Sequence, residues 1–341
     1  MQKQNRLRPP EWTIIKLVQW ATTYFSSHDI DSPRATAEIL LAHVLNTRRI
    51  DLYLRYDQPL IPVELERFKA LIKRRLNREP VAYIVENKEF WSMDLHVTRD
   101  VLIPRPETEC LVEKALEWLA ADSKPESTTT PKAGGLGFAA TGGGRQGREV
   151  PQSLRAEPGA RHPVWKTQSK LILELGTGSG AVILALASEN PRHSYWATDI
   201  SVYAIRVARR NARRYHLGGK VHFIAGDWFA PLRSKPGLFD LIVSNPPYIK
   251  SDDLTRLQPE IHAYEPLLAL DGAEDGLHCL RHIIQSGYLF LKPRGVIILE
   301  IGNDQKEPLK QMIAECGEYE EVNFYQDYSG HDRILQMKKK A

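Results

Sequence analysis

The chain has 341 residues, 42% of them hydrophobic and 26% charged, with a formal net charge of +4. That length accommodates two domains with ample core, and so mild a charge does not demand a nucleic-acid partner. The three cysteines, Cys110, Cys279 and Cys316, are scattered and odd in number, which fits a reducing cytoplasm and excludes a disulfide or metal framework; no apolar run approaches the roughly 20 residues of a membrane span.

Met1 to Pro10 are polar and basic with no apolar stretch behind them, so no secretory signal is expected. Residues 11–78 then read as helical. Trp12, Ile15, Leu17, Val18 and Trp20, then Ile39, Leu40, Leu41, Val44 and Leu45, then Leu65, Phe68, Leu71, Ile72 and Leu76 recur at three- and four-residue steps. Asp31-Ser32-Pro33 predicts a helix cap with proline in the first turn. Residues 80–104 turn aromatic and β-branched with short alternation, predicting a hairpin linker, and Pro106 to Ala120 reads as a helix. Residues 122–168 change character: they carry Ser-Thr-Thr-Thr-Pro, Gly134-Gly135 and Gly142-Gly143-Gly144 and almost no periodic apolar face. That predicts a disordered surface insertion. Its basic residues outnumber its acidic ones, but an inert linker is the default over an RNA contact.

Residues 170–337 alternate strand and helix patterns, the signature of a mainly parallel sheet covered on both faces. Leu171–Leu175 is a short strand. Gly176-Thr177-Gly178-Ser179-Gly180 follows, then the buried helix Ala181–Ala187. Glycines let the backbone turn tightly and approach a ligand closely. The G-x-G-x-G spacing differs from the dinucleotide fingerprint and suits a cofactor without a pyrophosphate. The next strand, Ser194–Asp199, ends in an acid 23 residues after Gly176, placed to accept hydrogen bonds from ribose hydroxyls. A third strand, Val221–Ile224, leads to Asp227 and Trp228, an acid and an aromatic suited to the amine and face of an adenine.

A fourth strand, Phe239–Ser244, runs into Asn245-Pro246-Pro247-Tyr248. Two consecutive prolines fix φ and remove two backbone donors, and each pushes its predecessor toward an extended conformation. The corner is stiff and its carbonyls are free acceptors. A planar group bearing an NH2, an amide or a nucleobase amine, fits there. Its N–H bonds would reach the Asn245 oxygen and the Pro246 carbonyl, with Tyr248 on its plane. Ligands of open α/β sheets bind at the carboxyl ends of strands, so the four strand ends should converge. Together they indicate an adenosine-containing cofactor beside an NH2 acceptor. S-adenosyl-L-methionine is the economical choice, since a sulfonium methyl needs no metal and no phosphate cradle.

At these residues the chain resembles the class I S-adenosylmethionine methyltransferases, and more narrowly the HemK-type peptide chain release factor glutamine methyltransferases. Pro80–Ile84, Lys88–Trp91 and Val101–Glu109 resemble that family's linker. Glu265–Gly276, Leu299–Gln305 and Asp327–Arg333 resemble its C-terminal half. Asn-Pro-Pro-Tyr alone is shared with adenine-amino DNA methyltransferases. Glu174 stands where many relatives carry Asp, a change expected to keep the charge.

The resemblance implies a Rossmann-like, mainly parallel seven-stranded sheet. It implies a substrate-recognising helical domain at 1–79, a hairpin linker at 80–104 and a methyltransferase domain at 105–341 interrupted by 122–168. It implies methyl transfer, in the cytoplasm, to the side-chain amide nitrogen of the glutamine in the Gly-Gly-Gln loop of release factors, with no membrane and no obligatory nucleic acid. Gly176, Thr177, Gly178, Ser179, Gly180, Asp199, Trp228 and Asn245 would bind the cofactor, and Asn245, Pro246, Pro247 and Tyr248 the amide, with Asn245 and Pro246 acting in catalysis. The alternatives are a glutamine methyltransferase of a ribosomal protein and a nucleic-acid adenine-amino methyltransferase.

Three further features carry simpler readings. His278 and His282 share a helix face without other ligands at metal spacing, so packing or surface roles are expected and no metal. Arg206, Arg209, Arg210, Arg213 and Arg214 read as a solvated helix face before an RNA-facing patch, and Lys73-Arg74-Arg75 reads the same way. No nucleophile–histidine–acid triad is apparent.

Overall fold

Ile14, Leu17, Val18, Ala21 and Phe25 form one apolar stripe, and the chain buries it as helix α1 (Ile14–Ser26). The structure, a computed structural model, describes residues 12–121 and 169–341. The expectations of a leaderless N-terminus and of a disordered insertion at 122–168 lie outside those residues. Helices α2 (Pro33–Val44), α3 (Asp51–Leu54) and α4 (Pro62–Leu76) follow α1 and enclose Phe25, Leu40, Leu41 and Phe68.

The cap expected at Ser32 is absent. Ser32 sits at φ 47° and its side chain makes no capping bond. Helix α2 is started instead by proline geometry at Pro33 and by the Thr36 amide donating to the Ser32 carbonyl at 2.9 Å. At α4 the Glu64 carboxylate reaches back to the Ile61 amide at 2.9 Å, satisfying a donor the helix leaves open.

The stretch read as a hairpin linker opens on one helical turn, α5 (Val81–Ile84), whose Ile84 completes the helical core. The hairpin itself is short. Strand β1 (Asn87–Phe90) pairs antiparallel with β2 (Met93–His96) across Trp91 and Ser92, both at positive φ (52° and 55°). That is the two-residue turn whose twist matches its strands. A 3-10 turn at Pro106–Thr108 then leads into α6 (Glu109–Ala121).

Beyond the insertion come β3 (Leu171–Leu175), α7 (Ala181–Glu189), β4 (Ser194–Asp199), α8 (Val202–Arg214), β5 (Val221–Ala225) and β6 (Phe239–Ser244). Then follow α9 (Pro259–Tyr264), α10 (His278–Gly287), β7 (Leu291–Glu300), α11 (Lys306–Cys316), β8 (Tyr319–Gln326) and β9 (Asp332–Lys339). The seven strands lie in the order β5-β4-β3-β6-β7-β9-β8. The first five are parallel; β9 runs antiparallel to both of its neighbours, β7 and β8, so it is the one reversed strand of this sheet. This is the class I methyltransferase sheet. Apolar cores cover both faces, one containing α6, α7 and α8 residues, the other α10 and α11 residues. Strand order reverses between β3 and β6, and the crevice at such a switch point, beyond the strands' carboxyl ends, is where ligands bind.

Specific bonds join the helical region to the sheet. Arg75, buried, donates to Glu260 of α9 at 2.9 Å, and the Tyr264 hydroxyl donates to the Asn77 carbonyl at 2.6 Å. Arg74 pairs with Glu79 at 2.7 Å. On α8, Arg209 donates to the Phe223 carbonyl, Arg210 to the His96 ring and Arg214 faces Asp94 at 3.9 Å. Much of the basic sequence at these two places is therefore spent on internal contacts.

Candidate active site

Helix α7 cannot start directly at the end of β3, because the chain must reverse over the sheet edge. Gly176, Gly178 and Gly180, at φ 68°, 54° and 84°, make that reversal. The loop is pinned on both sides. The Thr177 amide donates to the Thr198 carbonyl at 3.0 Å, and the Gly178 amide donates to the Asp199 carboxylate at 2.8 Å. The other Asp199 oxygen accepts from the Ser201 amide at 2.8 Å. Asp199 thus clamps the glycine loop to the start of α8. Burial pushes its carboxyl up from the ordinary range, against the two backbone donors that pull it down.

A cavity of about 360 Å³ lies over these strand ends. Gly176, Gly178, Asp199, Asp227, Trp228, Asn245 and Pro247 all line it. Four acids, Asp100, Asp199, Asp227 and Asp271, face it, and among the described residues no lysine or arginine does. That lining rejects a phosphate and suits a cation with hydroxyls to donate, which fits S-adenosylmethionine. Trp228 adopts φ 40°, rare for a bulky residue, and such strain concentrates at ligand clamps.

Thr177, Ser179 and Gly180 do not line the cavity. The Thr177 hydroxyl turns inward and donates to the buried Glu174. The Ser179 carbonyl accepts from Asn211 at 2.9 Å, and Asn211 also exchanges bonds with the His96 backbone. Gly180 packs directly on α8, where an added Cβ would lie 3.2 Å from Ala208. They shape the loop from beneath.

Glu174 departs from expectation. It is 3% exposed, and burial, with a smaller contribution from Asp199, pushes its carboxyl up to about 8. Near neutral pH it is mostly protonated, so the substitution does not carry a full charge.

A second, smaller cavity of about 110 Å³ adjoins the first and is lined by Asn245, Pro246, Tyr248, Arg105 and Glu300. Asn245 borders both spaces. Its Nδ2 donates to Thr108 Oγ1 at 3.1 Å, which leaves its oxygen as an acceptor. The Tyr248 hydroxyl donates to Glu300 Oε1 at 3.1 Å, and the Tyr248 carbonyl accepts from Gln305 at 3.1 Å. Gly276, at φ 72°, approaches that same carbonyl so closely that a Cβ would lie 2.7 Å from it. Arg333, paired with Asp327 at 3.2 Å, donates to the Ile301 carbonyl just beyond β7. Glu265, buried, accepts from the Ile103 amide and from Arg105 at 2.6 Å, fastening the linker to the far side of the smaller cavity.

Residue-level reading missed Thr108, Glu265, Glu300, Gln305 and Arg333. Each lies inside a stretch that resembled the family, Val101–Glu109, Glu265–Gly276, Leu299–Gln305 or Asp327–Arg333, and the structure gathers all four stretches around Asn245–Tyr248. The signal available was an isolated acid at the end of an apolar strand, as at Glu300. His278 lines the larger cavity and His282 lies 6.2 Å from the Trp228 ring. Among the described residues no cluster of metal-ligating side chains occurs, and no helix is long and apolar enough to cross a membrane.

Comparison with known proteins agrees with this geometry. The PrmC N-terminal domain family matches residues 16–85, and a methyltransferase domain family matches residues 166–340. The release factor glutamine methyltransferase of Geobacter sulfurreducens is 34% identical over 96% of this chain and 97% of its own length. That of Rhodopirellula baltica is 32% identical over 96% and 97%. The bifunctional methyltransferase of Rickettsia felis is 36% identical over 95% of this chain, which spans 58% of that longer protein. With its fold, its strand-end site and near-complete matches to these relatives, the chain belongs to the release factor glutamine methyltransferase family.

Proposed function

We propose that the protein transfers a methyl group from S-adenosylmethionine to the side-chain amide nitrogen of the glutamine in a release factor's Gly-Gly-Gln loop. One observation carries this reading: Asn245 stands at the junction of an acid-lined cavity and a small polar slot. The first has the lining for the cofactor, and the second has room for a single side-chain amide. In this reading Gly176, Gly178, Asp199 and Trp228 hold the cofactor. Thr177, Ser179 and Gly180 act by shaping the loop.

When bound, S-adenosylmethionine supplies a methyl on a positively charged sulfur, so a nitrogen–carbon bond forms as the carbon–sulfur bond breaks and the nitrogen releases a proton to solvent. A primary amide nitrogen is a poor nucleophile because its lone pair is delocalised. The Asn245 oxygen and the Pro246 carbonyl accept its two N–H bonds and turn the nitrogen toward the methyl. Proximity and orientation then supply most of the rate, and acceptors aimed at the N–H bonds stabilise the charge developing on nitrogen. Pro247 walls the cofactor cavity, and Tyr248 packs beside the amide.

In this reading the helical region, 1–79, recognises the substrate, 80–104 is the linker, and 105–341 carries the chemistry. Ile50, Tyr53, Leu54 and Tyr56 are exposed on the surface of the helical region, which suits a protein partner. The likeness over nearly the whole chain to relatives named release factor glutamine methyltransferase favours this substrate over a ribosomal protein or a nucleic acid. Incubation with a purified release factor and methyl-labelled cofactor tests it. Mass spectrometry of the tryptic peptides should find one methyl on the loop glutamine. Label in nucleic acid, or in another protein only, would overturn the reading.

A further inference from the structure

We infer that Glu300, at the end of β7, is a positioning residue that holds the Asn-Pro-Pro-Tyr corner at both ends, through Tyr248 on one side and through Thr108 and Asn245 on the other. The inference rests on the proposed amide methylation and adds a residue to it.

Glu300 is 1% exposed, in a position where a carboxyl is costly unless it has partners. The Tyr248 hydroxyl donates to its Oε1 at 3.1 Å. Burial pushes its carboxyl up, and the Thr108 and Tyr248 hydroxyls and the Arg333 charge pull it back down, so all three groups act on it. Thr108 Oγ1 in turn accepts the Asn245 Nδ2 donor at 3.1 Å. A threonine hydroxyl that accepts from an amide has its own proton left to give, and the Glu300 carboxyl, whose ionisation Thr108 favours, is the acid it acts on. Asn245 is thereby fixed with its nitrogen toward Thr108 and its oxygen toward the substrate slot. The opposite orientation would put two donors against the substrate NH2. Glu300 Oε2 is buried without a hydrogen-bond partner, and Glu300 borders the same small cavity as Asn245 and Pro246. A buried carboxylate oxygen left open beside the slot is hard to explain as mere stabilisation, because an apolar side chain would fill that volume at less cost.

The test compares wild type, Glu300→Gln, Thr108→Val, Asn245→Ala and the double variant Thr108→Val/Asn245→Ala. Methyl transfer to a release factor, cofactor affinity by calorimetry and thermal melting are read for each. Glu300→Gln and Thr108→Val should lower kcat by roughly 10–100-fold, the scale of a small misplacement. Cofactor Kd should stay within about threefold of wild type. In the Asn245→Ala background, Thr108→Val should cost nothing further, because its effect passes through Asn245. Parallel losses of kcat, cofactor affinity and melting temperature would mark Glu300 as a structural acid only, and additive losses in the double variant would break the proposed link. A wild type that leaves release factors unmodified refutes the substrate reading instead. The link is then judged on crystal structures of wild type and Thr108→Val. The inference predicts that the Asn245 side chain rotates in the variant, and an unchanged Asn245 overturns it.

Discussion

Asn245 donates to Thr108 across 3.1 Å, although the two residues are 137 positions apart in sequence. The contact joins the 3-10 turn before α6 to the corner after β6, so the amide acceptor is aimed by a residue outside its own loop. Removing the acceptor should therefore damage chemistry far more than binding. Asn245→Ala is expected to lower kcat by about 10²–10³, the effect of deleting one preorganised hydrogen-bonding group. Cofactor affinity should change much less. Steady-state kinetics with calorimetry of cofactor binding checks both, and near-normal turnover would falsify the assigned role.

Asp199 has the reverse profile. It clamps Gly178 and Ser201, and it lines the larger cavity. A hydrogen bond to a charged acceptor contributes about 1.5–3 kcal/mol, so Asp199→Ala should weaken cofactor binding by roughly 10–150-fold. Calorimetry measures this directly. A Kd within threefold of wild type would remove Asp199 from the cofactor site.

Gly180 is needed for two independent reasons. Its φ of 84° strains any L-residue, and a Cβ there would meet Leu184 at 3.1 Å and Ala208 at 3.2 Å. Gly178, at φ 54°, has open space around it. A left-handed non-glycine residue costs about 1–2 kcal/mol. Gly180→Ala should thus lower the melting temperature by several degrees, and by more than Gly178→Ala does. Equal melting of the two variants would contradict the packing between the loop and α8.

Glu174 makes stability depend on pH in an unusual direction. Its folded-state value of about 8 lies above the ordinary 4.5, so the folded chain keeps a proton that the unfolded chain releases. The contribution is complete below about pH 4.5 and declines as pH rises toward about 8. Glu174→Gln removes this term while keeping an acceptor for Thr177. The melting temperature of the variant relative to wild type should climb across that window and level off above it. A difference independent of pH would show that Glu174 ionises normally in the fold.

The parts of the molecule that were legible in sequence share a local signature. The glycine run after Leu171–Leu175, the terminal Asp199 and the proline corner each combine a strand pattern with a break that has few physical explanations, and the alternation of strand and helix patterns over 170–337 indicates a mainly parallel sheet. Parts that were not legible depend on partners far away in the chain. Thr108, Glu300 and Gln305 look like ordinary linker, strand and loop residues until the fold brings them to Asn245 and Tyr248. Ser32 misled for the opposite reason: serine before proline is a common cap, yet here its backbone is left-handed and its side chain makes no capping bond. Glu174 misled because side-chain identity predicts charge only when exposure is known. The helical turn at Val81–Ile84 hid within aromatic and β-branched residues that are equally at home in a strand.

The central claim is geometric, and a crystal structure of the protein with demethylated cofactor product and a Gly-Gly-Gln peptide examines it most directly. The glutamine amide nitrogen should lie within hydrogen-bonding distance of both the Asn245 side-chain oxygen and the Pro246 carbonyl, with its free side toward the product sulfur. A glutamine seated elsewhere, or an Asn245 oxygen turned toward Thr108, would contradict it.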